Sequence, residues 1–390
     1  MYAAISTNLK EFPPTRTDQP SREREDLDQL TVNHATVQES KLKDFCNRVW
    51  TKLGVPERDA QVTTDVLVLA DLRGVESHGV ARLPRYYTDL KNGWTKPTDQ
   101  SKIIRETKAT ALIDGGQSLG QVVGRRGMEL AIKKAKESAI GIVSVSNSHH
   151  YGIAGYYSLM ALEHDLIGVS MTNAAPLVVP TFGRTAVLGT NPISLTAPAS
   201  KEKPFVLDMA TSVVPRGKLE VYDRLKKKMP LGWAVDATGK GTSDPHTVLD
   251  ALSKRLGGGI LPLGGEGEEH SGHKGYGLAL MVDVLCGVLS GSATGLGVDV
   301  DKTKPNVGHF FMALDPAAFR PLEDFKRDMD RLSEELKNSP KAQGQDRIYV
   351  HGQKSYARME KYSREGIPLG TSVVESLRQI GSELSVPLSF

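Results

Sequence analysis

The residue types that can do chemistry gather in five short segments. The first, D-L-R-G-V-E-S-H-G-V-A-R-L-P-R-Y-Y from Asp71 to Tyr87, sets Ser77 and His78 before Gly79 and brings Arg82 four residues after the histidine. On a helix, positions i and i+4 share a face about one turn apart, so the spacing predicts an imidazole and a guanidinium side by side. A guanidinium grips a carboxylate at two points. An imidazole can pass a proton to an oxygen next to that carboxylate. The plainer arrangement has His78 capping a helix and Arg82 in a surface ion pair.

The second segment, S-N-S-H-H-Y-G-I-A-G-Y-Y from Ser146 to Tyr157, follows the apolar run G-I-V-S-V-S. Ligands of α/β proteins sit at strand ends, and a helix opening after glycines offers N–H groups to an anion. An exposed loop with incidental histidines is the alternative. The third, Thr172 to Ala199, is rich in Thr, Asn, Pro and Gly, a composition that also suits turns alone. The fourth, F-V-L-D-M-A-T-S from Phe205 to Ser212, puts Asp208 in an apolar strand, where a carboxylate is costly unless paired. A histidine held in one tautomer is a natural partner; an acid at the strand's exposed end is the other possibility. The fifth, H-S-G-H-K-G-Y-G-L-A-L from His270 to Leu280, places His270, His273 and Lys274 ahead of a helix. There they suit a phosphate or nucleotide, or simply solvent.

Alternating helical and strand patterns must position these segments. Helical spacing covers Ser40 to Leu53, Glu57 to Gly74, Leu83 to Leu90, Gly120 to Ser138, Ala154 to Glu163, Ser212 to Lys227, Gly277 to Leu289, Pro321 to Lys337 and Thr371 to Ser382. Strand patterns cover Ala109 to Asp114, Gly141 to Ser146, Ile167 to Thr172, Thr190 to Pro198, Phe205 to Met209 and Phe310 to Leu314. The alternation predicts an α/β architecture. Gly257 to Gly267 reads as a mobile loop. Neither G-x-G-x-x-G after a strand nor G-x-x-x-x-G-K-[ST] occurs, so a bound nucleotide must be held by something other than a Rossmann turn or a P-loop.

Composition narrows the function classes. In 390 residues, 49 Lys and Arg against 46 Asp and Glu leave a net charge of +3, which gives no strong field for nucleic acid or anionic lipid. The hydrophobic share of 39% supports a sizeable core. The greasiest run, Gly277 to Gly291, carries Asp283 and is shorter than a membrane span. Cys46 and Cys286 both fall in apolar helical patterns, which predicts buried free thiols, a reducing compartment and a cytoplasmic location. Residues 1–37 are polar and proline-bearing, without periodicity or the apolar stretch of a secretory signal; they are expected to form a flexible N-terminal arm.

In their order along the chain, R-G-V-E-S-H-G-V-A-R, S-N-S-H-H-Y-G, T-N-x-x-P, L-G-T-N-P, L-D-M-A-T-S, L-G-W-A-V-D and H-K-G-Y-G resemble the type-2 malate/L-lactate dehydrogenase family. That family includes ureidoglycolate dehydrogenases, diketogulonate reductases, sulfolactate dehydrogenases and piperideine-carboxylate reductases. The resemblance runs from about Val37 to the C-terminus. It implies an α/β fold of the non-Rossmann type, with a nicotinamide-binding domain over residues 111–309 and a helical, substrate-side domain over 38–110 plus 310–390. It further implies His78 as proton donor to the substrate carbonyl, with Ser77 and Asp208 orienting it or relaying charge. Arg82 would bind the substrate carboxylate, with His149 and Thr190 as further substrate contacts. His150, Tyr151 and Gly152 match the cofactor loop. Val206, Leu207, Met209 and Ala210 match the strand lining the nicotinamide nucleotide, and His273, Lys274, Gly352, Gln353 and Lys354 match further cofactor contacts. The family usually carries an acidic residue where Lys354 stands, a departure that bears on the choice between NAD and NADP. A homodimer is implied as well.

The activity implied is hydride transfer between NAD or NADP and a 2-oxo or 2-hydroxy carboxylic acid of the malate or lactate type. Three rivals stand beside it: NADPH-dependent reduction of a cyclic imino acid, a metal-dependent hydrolase built on His149, His150, His270 and His273, and a non-enzymatic binding protein. The hydrolase needs three or four convergent ligands, whereas these histidines lie in two loops without matching carboxylates, so no metal is expected.

Overall fold

A computed structural model of the chain describes residues 34–301, 303, 304 and 306–390. The expected arm lies outside the described residues as far as residue 33. Its last four residues, His34–Val37, are strand β1. Two helices follow, α1 (Glu39–Lys52) and α2 (Glu57–Leu72). Pro56 stands at the N-cap of α2, with Glu57 and Asp59 in its first turn, acids that complement the partial positive charge of a helix start. Helix α3 (Leu83–Lys91) buries Leu83, Tyr86, Tyr87 and Leu90, the i, i+3, i+4, i+7 stripe of a one-sided helix, and ends at Asn92 before Gly93, whose φ is +71°.

Along the chain come β2 (Lys102–Glu106), β3 (Thr110–Asp114), α4 (Gly120–Ser138), β4 (Ile140–Ser148), α5 (Ala154–Leu162), β5 (Ile167–Thr172), β6 (Ile193–Ala197) and β7 (Phe205–Met209). Then come α6 (Arg216–Arg224), β8 (Ala234–Val235), α7 (Pro245–Lys254), β9 (Gly259–Ile260), α8 (Gly272–Asp283), β10 (Val307–Leu314), α9 (Leu322–Asn338), α10 (Gln353–Glu365), β11 (Ile367–Gly370) and α11 (Thr371–Leu384).

Seven strands make one sheet in the order β2-β3-β4-β10-β5-β6-β7. Only β3 and β4, joined through α4, run parallel; the other pairs are antiparallel. Helices α4 and α5 cover one face over a core that includes Ile113, Met128, Val145, Tyr157 and Phe311. Val169, Met171, Val282, Cys286 and Phe310 pack on the other. Strand β10 lies between β4 and β5 and is buried along most of its length, which explains its continuous apolar run F-F-M-A-L. Helices α1, α2, α3 and α11 form a second core with the β1–β11 pair. Helices α6 and α7 pack with β8 and β9 around Leu219, Val248 and Ile260.

Several sequence expectations change at their edges. The sheet crosses the domain boundaries expected at 110 and 309, since β2 and most of β10 belong to it. Gly257 to Gly267 is not a bare loop, because β9 pairs there with β8. The helix expected from Gly277 starts at Gly272 and widens into a π turn over Val284–Val288. The one expected from Ser212 starts at Arg216. Strands β1, β2, β8, β9 and β11 and helices α7 and α10 had no expectation; the strands are short or largely exposed, and α10 buries none of its residues fully, so neither periodicity reached a readable length.

Candidate active site

His78 and Arg82 do not share one helix. His78 ends a 3-10 turn, Glu76–His78, and Arg82 ends another, Val80–Arg82, with Gly79 extended between them at φ −80° and ψ −153°. Ser77 joins the two side chains instead. Its carbonyl accepts from Arg82 Nε at 2.7 Å, and its hydroxyl lies 2.9 Å from His78 Nδ1. Among the described residues no carboxylate pairs with Arg82, and His78 Nε2 has no protein partner. The neighbouring guanidinium, Arg85, is committed to Asp299 at 2.9 Å and to Asp89 at 3.8 Å.

The end of β4 brings the second segment here. The His150 ring stacks on His78 with centroids 5.5 Å apart and planes 24° off parallel. Its Nδ1 lies 2.6 Å from the Tyr86 hydroxyl. His149 is buried and bonds Thr95 through Nε2 at 3.0 Å. Tyr151 turns the other way: its ring is fully buried, stacked on His309 at 4.4 Å and bonded to Ser170 at 3.0 Å, and its carbonyl accepts from the Tyr157 hydroxyl. Of the loop His150–Gly152, the tyrosine side chain therefore belongs to the core.

Electrostatically the cluster repels protons. Burial, then Arg82 and Arg85, hold His78 down to about 4. Burial also lowers His149 to about 4, with Asp299 opposing and Arg85 adding. His150 is held well below its ordinary value by burial, Arg85, His78 and Arg82. A buried group with cations and no free carboxylate is arranged to receive an anion.

Asp208, on β7, has a different partner from the histidine expected. Its Oδ2 accepts from Gly155 N–H at 2.9 Å, at the start of α5. It opens to solvent although protein crowds it on most sides. That crowding raises it to about 6, while the Gly155 amide and the charge of Arg73 pull it back. Arg73 itself is buried, donates to Ser355 at 2.7 Å and lies 4.8 Å from the Tyr356 ring centroid, which ties the end of α2 to the start of α10.

Two expected cofactor segments meet. Val206 N–H donates to the His351 carbonyl at 3.2 Å, and a Cβ on Gly352, whose φ is +98°, would come within 3.0 Å of Val206 Cβ. Only glycine accepts both that backbone and that approach without strain. Leu207, Met209 and Ala210 are half-buried beside it. Gln353 caps locally, its side chain accepting from Val350 N–H at 3.1 Å. Lys354 is exposed, with Nζ 4.4 Å from the Tyr349 ring centroid. The Thr190 carbonyl accepts from Thr211 N–H at 2.9 Å, just beyond β7. His273 and Lys274 are exposed in the first turn of α8 rather than ahead of it, and no hydrogen bond among the described residues joins their side chains to the other site segments. His270 bonds only the carbonyl of Glu266, and no group of three or more His, Cys, Asp or Glu suited to a metal forms among the described residues. A cavity of about 420 Å3 lies between α4 and α5, lined by residues such as Arg125, Lys136 and His164, and one of about 240 Å3 lies behind Tyr349 and His351; neither touches His78 or Arg82.

Sequence reasoning passed over Asp71, Arg73, Tyr86 and Gly155. Asp71 alone carried a signal, an acid closing the buried run V-L-V-L-A-D-L.

The family profile described as Malate/L-lactate dehydrogenase matches residues 37–378. The chain belongs to the malate/L-lactate dehydrogenase family. Malate dehydrogenase of Pyrococcus horikoshii is 52% identical over 355 residues, 91% of this chain and 97% of that protein. Malate/(S)-sulfolactate dehydrogenase of Methanothermus fervidus is 41% identical over 346 residues, 88% of this chain and 96% of that protein. The solved structure of malate dehydrogenase from Entamoeba histolytica superposes with a TM-score of 0.88 at 37% identity, covering 92% of this chain and all of that one (100%). The resemblance read from the motifs therefore holds, as does the fold class, a mixed α/β fold around a central mixed sheet. As a member of this dehydrogenase family the chain is an NAD(P)-dependent 2-hydroxy-acid dehydrogenase. No helix among the described residues is long and apolar enough to cross a membrane.

Proposed function

We propose that the chain interconverts a 2-oxo acid and its 2-hydroxy acid, of the malate type with lactate or sulfolactate as further candidates. The observation that carries this is the Arg82 guanidinium, without a carboxylate partner among the described residues, joined through Ser77 to a half-buried His78 whose Nε2 has no partner among them. Arg82 binds the carboxylate next to the reacting carbon and fixes which face of the substrate is presented. A bound nicotinamide supplies the hydride in reduction and takes it in oxidation. His78 gives the carbonyl oxygen its proton in reduction and takes it back in oxidation, a contribution of roughly 10²–10⁴-fold.

The free enzyme holds His78 neutral, so the proton it gives in reduction is taken up from solvent as the substrate binds. Burial depresses the imidazole most, and a carboxylate docked on Arg82 offsets the two cations that add to it and so favours that uptake. Ser77 meets Nδ1 and orients the ring. Asp208, ionised above about 6, is assigned to the same machinery; its carboxylate holds the Gly155 amide at the start of α5 rather than the imidazole.

The donor set suits a nicotinamide nucleotide. The buried Gln121 amide, on the first turn of α4, reaches the Tyr86 hydroxyl, and Gly352 keeps open the space against Val206 that a side chain would fill. We assign the segments 206–210 and 352–354, with His150 and Gly152, to the cofactor and leave its 2′-phosphate to experiment; Lys354 favours NADP by charge. We further propose a cytoplasmic homodimer. The buried free Cys46 and Cys286 support the compartment. Exposed Leu280, Met281, Val284, Val288 and Leu289 around the end of α8 support self-association.

The deciding experiment follows absorbance of NADH and NADPH with pyruvate, oxaloacetate, sulfopyruvate and a cyclic imino acid. Oxidation with oxaloacetate or another 2-oxo acid is expected; oxidation with the imino acid alone would transfer the assignment to an imine reductase. Light scattering tests the dimer.

A further inference from the structure

Two contacts decide which nitrogen of His150 carries its proton. Nδ1 lies 3.3 Å from the Gly152 N–H and 2.6 Å from the Tyr86 hydroxyl. A backbone amide can only donate, so Nδ1 must present its lone pair. The Tyr86 hydroxyl faces the same lone pair and must therefore donate too. A neutral imidazole has one N–H, which leaves it on Nε2. The ring is neutral because burial and the neighbouring Arg85, His78 and Arg82 disfavour its charge. Burial pushes the Tyr86 phenol up to about 12, so it stays protonated at working pH. Nε2–H has no acceptor among the described residues, and the ring stacks on His78.

We infer that Tyr86 is a positioning residue that locks His150 as an Nε2–H donor, so the site offers a second hydrogen bond, beside His78, to an oxygen of its ligand. The ligand oxygen belongs to a carbonyl, carboxylate or carboxamide; in the opposite tautomer a lone pair would face it and repel it. This role rests on the dehydrogenase reading above, while the tautomer itself does not. Tyr86 is buried and its ring packs in the helical core, so Tyr86→Phe removes the hydroxyl and keeps the packing.

The test uses the full chain labelled with ¹⁵N-histidine, with His150 identified by its loss in His150→Gln. Long-range proton–nitrogen correlation is expected to show Nδ1 unprotonated and Nε2 protonated in the wild type; in Tyr86→Phe only the long 3.3 Å contact from Gly152 still favours that state, and a mixture of tautomers is expected. In the same variant kcat/KM for hydroxy-acid oxidation is expected to fall about three- to tenfold, the scale of one neutral hydrogen bond. A proton on Nδ1 in the wild type, or an unchanged tautomer in Tyr86→Phe, overturns the inference. So does a changed tautomer with unchanged kcat/KM. A wild type that turns over no hydroxy acid with either nicotinamide overturns the dehydrogenase reading instead, and the resonance measurement still judges the tautomer.

Discussion

Gly79 rests directly on the carboxylate of Asp71. A Cβ built on the glycine would fall inside that carboxyl group, and the next amide, Val80 N–H, donates to Asp71 Oδ2 at 2.8 Å. The loop carrying Ser77 and His78 thus has a buried acid as its floor, and the acid fixes where the imidazole stands.

Gly79→Ala should therefore displace the loop. Overpacking of this kind costs about 1–3 kcal/mol, and kcat should fall with His78 out of place. Asp71→Asn keeps an acceptor for Val80 and should be far milder. Thermal melts and steady-state rates check both; an alanine variant as active as the wild type would contradict the packing.

The same acid makes stability fall with alkali. Burial lifts Asp71 to about 8, the Val80 amide opposing and Glu76 adding, against about 3.9 in an unfolded chain. Between those values the folded state holds the extra proton, so its contribution is complete at low pH and is lost as pH rises through 8. An unfolded histidine is half protonated at about pH 6.5, so the depressed histidines add stability as pH rises past that value, and the acid's share is the difference between two proteins. From about pH 6.5 to 8 the stability of the wild type relative to Asp71→Asn, measured by denaturant unfolding, should fall by about 1 kcal/mol per pH unit; equal slopes would refute the assignment.

His78→Ala should lower turnover by roughly 10²–10⁴-fold and leave nicotinamide binding intact by fluorescence titration. Arg82→Ala should instead raise KM for carboxylate substrates, by roughly 10–100-fold for a charge-assisted contact. Unchanged turnover in the first variant removes His78 from the mechanism.

The acid limb of kcat/KM for hydroxy-acid oxidation reports groups of the free enzyme. Oxidation needs His78 neutral and Asp208 ionised, with values of about 4 and about 6. Activity should persist as pH falls until the carboxylate protonates near 6, and in Asp208→Asn any remaining limb should move toward 4. A limb near pH 6.5 in both enzymes, the ordinary imidazole value, would show that His78 is not depressed.

Gly352→Ala forces a side chain onto a φ of +98° and toward Val206, a strain of about 1–3 kcal/mol. KM for the nicotinamide should rise several-fold, while KM for the hydroxy acid at saturating cofactor should hold. Equal effects on both would take the Gly352 turn out of the cofactor site.

The sequence by itself carried the elements with long periodic signals. Helix α4 begins and ends where the spacing put it, as do β5 and β7, because backbone periodicity is written in neighbouring residues. It also carried the five chemical segments and, through their order, the family. The tertiary structure alone decided how they meet. The i, i+4 spacing of His78 and Arg82 invited a shared helix face, but Asp71 beneath Gly79 imposed two short turns, and Ser77 became the link. Tyr151 stood in a cofactor motif, yet its ring fills the core between β5 and β10. Tyr86 and His150 lie 64 positions apart, and Arg73 and Ser355 lie 282 apart. Such pairs leave no local pattern, since which distant side chains touch depends on how the sheet order and helix packing close the chain, not on the residues beside each partner.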